Sequence, residues 1–203
     1  MVCRWTWIVC RNEELPMSDY TFERNYWGDC CNTFDEDQKH YVYARYMGLT
    51  QVGYSFCLNN QSVIDIGGGP TSMLLKTINL KNGLVVDPLS YPKWTHERYR
   101  AKGIEVSVMR GEDFAFDYIE KYDEAWIYNC LQHTGDPELI IKNALNAAKI
   151  LRIFEWVDIP PHDGHPVELT KDKLDKWTGG LGQVITLAES GCFGKAYYNI
   201  VAQ

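Results

Sequence analysis

No apolar run in this sequence approaches the about 20 residues that a membrane-crossing helix requires. The apolar stretch from Trp5 to Cys10, flanked by Arg4 and Arg11, is too short for a secretory signal, so a cytoplasmic location is expected. Basic charge is scarce. Against 27 Asp and Glu stand 20 Lys and Arg, and the net charge of −7 disfavours a general affinity for nucleic acid, which depends on neutralising phosphates. The 7 cysteines include no C-x-x-C pair, so metal-ligand spacing is missing and the thiols read as reduced, small apolar groups. No metal is expected. Neither an internal repeat nor a low-complexity stretch occurs. What remains is a chain of 203 residues, 45% hydrophobic, which fits one α/β domain around a real core.

Residues 1–16 do not match the rest. They are dense in Trp and Cys, end at Pro16, and are followed by a second methionine, Met17. They read either as an N-terminal extension, disordered or a mis-called start, or as a terminal strand or loosely ordered arm. The single domain is expected over 17–203, with N-terminal cap helices over 17–60 and a core over 61–203. Thr33-Phe34-Asp35-Glu36 has the spacing of a capping box, and the helix it opens should run to about Met47, with Gly48 as the left-handed residue beyond.

From residue 62 strands and helices alternate. Strands are expected at 62–67, 83–87, 104–109, 124–129 and 151–156. Helices are expected at 71–80, 91–102 and 136–149, the last with Asp136 as N-cap and Pro137 at the first helical position. A short helix at 170–177 precedes two strands, 183–187 and 195–201, that are close enough for a hairpin. This order implies a seven-stranded, mostly parallel sheet with a C-terminal antiparallel β-hairpin and helices on both faces.

In such a sheet the ligand lies beyond the carboxyl ends of the strands, at the switch point after the first core strand. The turn Asp65-Ile66-Gly67-Gly68-Gly69-Pro70 falls there. Twenty residues beyond Gly67, Asp87 ends the next strand, where a carboxylate can accept bonds from both hydroxyls of a ribose. The dinucleotide fingerprint G-x-G-x-x-G would need a third glycine where Ser72 stands. The acid and glycine turn instead resemble the first motif of the class I S-adenosylmethionine (SAM)-dependent methyltransferases, a Rossmann-like family. Asp87, with Pro88 beside it, matches their ribose-binding acid, and Gly111-Glu112-Asp113-Phe114 looks like their adenine-contacting segment. Tyr128-Asn129-Cys130-Leu131-Gln132-His133 looks like the segment beside the methyl group. The resemblance covers roughly residues 60–203 and implies SAM as cofactor, held by Asp65, Gly67, Gly68, Gly69, Asp87, Pro88, Gly111, Glu112, Asp113 and Asn129. Tyr26 to Asp29 through Gly48, with Phe154 to Trp156 and His162 to Pro166, is more narrowly similar to uncharacterised phage-type small methyltransferases.

The implied activity is methyl transfer to an oxygen or nitrogen nucleophile of a small-molecule or glycan-like substrate. Asn129 is followed by Cys-Leu-Gln, not by the Pro-Pro-aromatic run of the family's amino-methylating DNA enzymes. His133 is the candidate base, its intrinsic pKa of about 6.5 suiting proton transfer near neutrality; capping the next helix or hydrogen-bonding within the loop is the competing role. His162 and His165 follow the fifth core strand and read as a substrate lid in preference to a metal site. Trp27 and Tyr26 either cover the sulfonium or anchor the next helix, and Lys39 and Arg45 either meet the methionyl carboxylate or stay solvated. An NAD-dependent oxidoreductase and a non-catalytic SAM-binding module are the alternatives. Oligomeric state has no signature here.

Overall fold

The computed structural model describes residues 20–114 and 121–203; of the expected extension over 1–16, all lies outside them. Two N-terminal helices, α1 (Thr21–Trp27) and α2 (Thr33–Tyr46), lead to a short strand β1 (Thr50–Val52). Next come β2 (Ser55–Ile66), β3 (Thr77–Asp87), α3 (Lys93–Ala101), β4 (Ile104–Val108) and β5 (Tyr122–Tyr128). The chain ends with α4 (Pro137–Ala147), β6 (Ala148–Trp156), α5 (Lys171–Thr178), β7 (Gln183–Glu189) and β8 (Cys192–Ala202).

The sheet has 8 strands, with the order β4-β3-β2-β5-β6-β8-β7 and β1 paired to β2 off that path. β4, β3, β2, β5 and β6 run parallel, and β8 pairs antiparallel with both β6 and β7. The expected seven strands are all present, and β1 is the addition. The closing hairpin turns through Ser190 and Gly191, both at positive φ (48° and 77°), a geometry suited to the twist of antiparallel strands. After β2 the chain turns to β3 on one side, and it later returns to β5 on the other. The crevice that this switch opens lies at the carboxyl ends of β2 and β5.

Period-two alternation decides what each face buries. Ile64, Ile66, Leu84, Val86, Ala125 and Ile127 pack against α4 and α5, whose Ile140, Ile141, Ala144 and Leu174 are buried. Val63, Val85, Trp126 and Phe154 face the other way, against Val42 and Tyr43 of α2, Met47 at its C-cap and Tyr99 of α3. On this second face Arg152 reaches under α2. Its Nε and Nη2 donate to the two oxygens of Glu124 at 2.8 and 2.7 Å, and Nη1 donates to the Met47 carbonyl at 2.7 Å.

Two local expectations are corrected. Residues 71–80 form no α-helix. The chain makes a 3-10 turn over Met73–Lys76 and enters β3 at Thr77. Ser72 Oγ accepts the Leu74 amide at 3.0 Å, Met73 and Leu74 are buried, and the Lys76 ammonium is tied to Asp37 and to His40 Nδ1 of α2. β-Branched Thr77 and Ile78 then suit a strand better than a helix. The capping box is also absent: Asn32 precedes α2 without a side-chain cap, and Glu36 turns inward. By contrast Asp136 caps α4 as expected, its carboxylate accepting the Leu139 amide at 2.9 Å.

Candidate functional site

The crevice holds a cavity of about 500 Å³ whose wall includes Gly67, Gly68, Gly69, Asp87, Pro88, Gly111, Glu112 and Asn129. Eight of the ten expected cofactor residues therefore meet in one place. Asp65 lies behind the wall, and Asp113 is exposed and outside it.

The glycine turn is shaped from beneath. Gly67 and Gly69 have φ of 77° and 62°, in the left-handed region that glycine tolerates. A Cβ on Gly67 would lie 2.6 Å from that of Cys130, and one on Gly68 would lie 2.8 Å from Asp65 Oδ2. That oxygen, fully buried, accepts the hydroxyls of Ser72 and, at 2.6 Å, Tyr128. The Tyr99 hydroxyl accepts the Ser72 amide at 2.8 Å and donates to the Gly69 carbonyl at 2.7 Å. Asp65 thus acts through its neighbours, as a brace. Burial pushes its pKa up to about 7, against the smaller opposing effect of its Ser72 and Tyr128 bonds.

Asp87 faces the turn across the switch point. Its Oδ2 accepts the Gly69 amide at 3.0 Å, and its Oδ1 accepts the Leu89 amide at 2.9 Å and the Tyr91 hydroxyl at 3.0 Å. Burial raises its pKa to about 6. Oδ2 keeps a second lone pair, and a ligand hydroxyl that replaced that of Tyr91 at Oδ1 would find two adjacent acceptors, the arrangement a diol needs. Farther along the wall, Glu112 Oε1 accepts Arg110 Nη2 at 2.9 Å and the Gly135 and Asp136 amides at 3.2 Å. Its Oε2 is buried with no partner, and it can accept an amine hydrogen from a base edge.

On β6, Glu155 lies within the Phe154 to Trp156 segment singled out above, but the sequence pattern does not reveal its role. Fully buried, it accepts the Cys130 and Leu131 amides at 3.1 Å and so fixes the loop carrying Asn129 and His133. Its pKa rises to about 7 through burial. From Asn129, itself at φ 51°, a chain of bonds crosses the cavity wall. Asn129 Nδ2 donates to Glu36 Oε1 at 3.2 Å, and Asn129 Oδ1 accepts Gln132 Nε2 at 3.0 Å. The second hydrogen of that amide points to His133 Nε2 at 3.1 Å. Because Glu36 must accept, each link is oriented in turn, and Nε2 of His133 is an acceptor. The His133 proton then sits on Nδ1, between Glu23 Oε1 at 2.8 Å and the Gly164 carbonyl at 2.6 Å.

Both ring nitrogens of His133 have partners inside the protein, so the side chain ties α1 and the 162–165 loop to the sheet edge, the structural role that competes with that of a base. Although burial opposes it, the Glu23 carboxylate raises the His133 pKa. His162 and His165 do line the cavity, joined by paired backbone bonds of 3.0 and 2.8 Å that form a tight two-residue hairpin. No group of three or more metal-ligating side chains with metal geometry occurs among the described residues.

Much of the remaining wall comes from the N-terminal helices, the end of β6 and the hairpin. Trp27 lies over the glycine turn, its Cζ2 3.9 Å from where a Gly69 Cβ would stand. Tyr26 packs edge-on against Trp27 at 5.0 Å. Glu36 and Lys39 of α2 face inward and pair at 3.0 Å, whereas Arg45 pairs with Glu189 on the outer surface and takes no part. Trp156, at the end of β6, and Phe193, on β8, add to it.

No family model and no curated protein matches the sequence. Solved structures do match. The chain is similar to the N-methyltransferase NodS from Bradyrhizobium japonicum WM9, solved with S-adenosylhomocysteine (SAH). Identity is 12%, coverage 90% of this chain and 96% of that one, and TM-score 0.62. It is also similar to a SAM-dependent methyltransferase from Thermotoga maritima, with 15% identity, 90% and 95% coverage and TM-score 0.57. The [4+2]-cyclase SpnF matches too, with 16% identity, 73% and 57% coverage and TM-score 0.54. The fold is therefore the Rossmann-like fold of class I SAM-dependent methyltransferases. The cyclase shows that this fold also carries other chemistry, so activity has to be argued from the site.

Proposed function

We propose that this protein is a cytoplasmic SAM-dependent methyltransferase acting on an oxygen or nitrogen nucleophile of a small molecule. The observation that carries the reading is the chain path after the glycine turn. A dinucleotide pyrophosphate is bound by the amides at a helix N-terminus, and here a 3-10 turn and a strand succeed the glycines instead. SAM has a ribose but no phosphate, so it needs Asp87 and not that helix. Glycines 67–69 let the backbone approach the cofactor, Gly111 and Glu112 flank its base, and Asn129 lies at its reacting end; Asp65 positions the turn. SAM supplies an already activated methyl group, and the protein's task is to hold the nucleophile in line with it. The narrower likeness to phage-type enzymes rests on the sequence segments alone.

Calorimetry with SAM, SAH and NAD tests the reading. SAM and SAH should bind and NAD should not. Asp87→Ala removes two charge-assisted bonds to the ribose, which lowers SAM affinity about 100-fold. Tight NAD binding without SAM binding, or undiminished SAM affinity in Asp87→Ala, would overturn it. SAM binding with no transfer to any acceptor favours the non-catalytic binding module.

A further inference from the structure

The cavity wall carries Trp156 and Phe193 at the β6 and β8 end of the site and Tyr26 beside Trp27, and Glu36, Lys39 and Asn129 give the same wall a polar floor. The floor offers mostly acceptors. Glu36 Oε1 and Oε2 each take one bond, from Asn129 and Lys39, and each keeps a second lone pair. Asn129 Oδ1 takes one bond from Gln132 and keeps another. Among the described residues Lys39 is the only lysine or arginine on a wall that also carries Glu23, Glu36, Asp87 and Glu112.

A second constraint comes from the bases. An alcohol or phenol must lose its proton to become a strong nucleophile, and a carboxylate of ordinary pKa, about 4, is far too weak to take one from a phenol near 10. The histidines do not fill this gap. Both ring nitrogens of His133 have partners inside the protein, and His162 Nδ1 accepts the Gly164 amide at 3.2 Å. His165 is held down near 4 by burial and by the neighbouring His133 and His162. An arylamine, in contrast, has an available lone pair at neutral pH.

Resting on the assignment of SAM as cofactor, we propose that the acceptor is a small, flat aryl- or heteroarylamine, held by its N–H at Glu36 and Asn129 and methylated on nitrogen. The aromatic walls take the ring. The amine's N–H bonds point to the carboxylate and amide oxygens, leaving its lone pair for the methyl group. That lone pair forms the new N–CH3 bond while the S–CH3 bond breaks, its electron pair remaining on sulfur as a neutral thioether. The nitrogen, now positive, gives its N–H proton to Glu36, and from there the proton passes to solvent.

The test uses matched probes: 5-aminoindole against 5-hydroxyindole, and 6-aminoquinoline against 6-hydroxyquinoline. SAH binding is measured first by calorimetry. Its absence removes the cofactor reading, whereas the acceptor is judged only on SAH-loaded protein. There each amine should bind about tenfold more tightly than its hydroxyl partner, because its second N–H makes a hydrogen bond to Asn129 Oδ1 that a lone O–H held at Glu36 cannot make. With methyl-labelled SAM, mass spectrometry should find the label on nitrogen. Glu36→Gln should lower the affinity for each amine about tenfold. The proposal is overturned if the hydroxyl member binds as well or better, if neither amine binds, or if amine affinity is unchanged in Glu36→Gln. Should that variant fail to fold, the wild-type comparison of amine with hydroxyl decides alone.

Discussion

Replacing Tyr99 by phenylalanine removes one oxygen atom from the back of the cofactor turn and leaves the ring in place. Two backbone groups then lose their partners, the Ser72 amide and the Gly69 carbonyl. Tyr99 is 1% exposed, so water has little access to repair either bond. An unsatisfied buried group costs about 1–3 kcal/mol, and two together cost about 2–6 kcal/mol. At about 2–4 °C per kcal/mol for a chain of this size, the melting temperature should fall by about 10 °C. SAM affinity should fall as well, because the turn must now be ordered on binding. Tyr91→Phe is the control. Its hydroxyl donates to Asp87 Oδ1, at the place a ribose hydroxyl would take, and bonds to no backbone group of the turn. That variant should melt within a few degrees of the parent and bind SAM equally or more tightly. Thermal unfolding and calorimetry on both variants read these outcomes. A melting point for Tyr99→Phe within about 1 °C of the parent, with unchanged SAM affinity, would refute the idea that the tyrosine holds the turn.

Two further predictions concern charge. Asp65 and Glu155, near 7, and Asp87, near 6, are raised by burial above the usual value of about 4, so the folded state holds protons that the unfolded chain releases. Stability of the ligand-free protein should therefore fall as pH rises from about 4 through 7. SAM affinity should do the opposite, weakening below about pH 6 as Asp87 is protonated; a flat melting curve from pH 5 to 8 would contradict the first trend. Arg152→Met leaves Glu124, 1% exposed, with a buried charge bonded only to Trp126 Nε1. It should lower stability by about 3–5 kcal/mol in denaturant titration, and a loss under about 1 kcal/mol would show that the pair is dispensable.

The parts of the site legible in the sequence are those encoded locally. Gly67 to Gly69 sit where a strand must stop, Asp87 ends the next strand, and Asp136-Pro137 announces α4. Residues 71–80 look helical because Met73, Leu74 and Leu75 cluster at a helix-like start. The competing pull comes from α2, which ties Lys76 and covers Met73, and nothing local reveals it. Glu36 shows the same limit from the other side. Its spacing from Thr33 satisfies a capping rule, yet its carboxylate finds Asn129, 93 positions away. The roles of Glu155 and Tyr99 are invisible because each acts through backbone groups 24 to 30 positions distant. His133 is correctly placed at the cavity by the sequence, and only its bonding partners decide what it does there.

The crossover between β2 and β3 spans only residues 67–76, too little chain for a covering helix. Its place on the sheet is taken by α2, which is core on one side and binding wall on the other. In homologous recombination or design terms, α1 and α2 are then not an exchangeable module. Grafting another N-terminal segment to change the acceptor would also replace Val42, Tyr43 and Met47 in the hydrophobic layer. Retargeting this scaffold calls for changes at Tyr26, Glu36 and Lys39 within the existing helices, since the residues that choose a ligand and those that keep the sheet dry share the same turns.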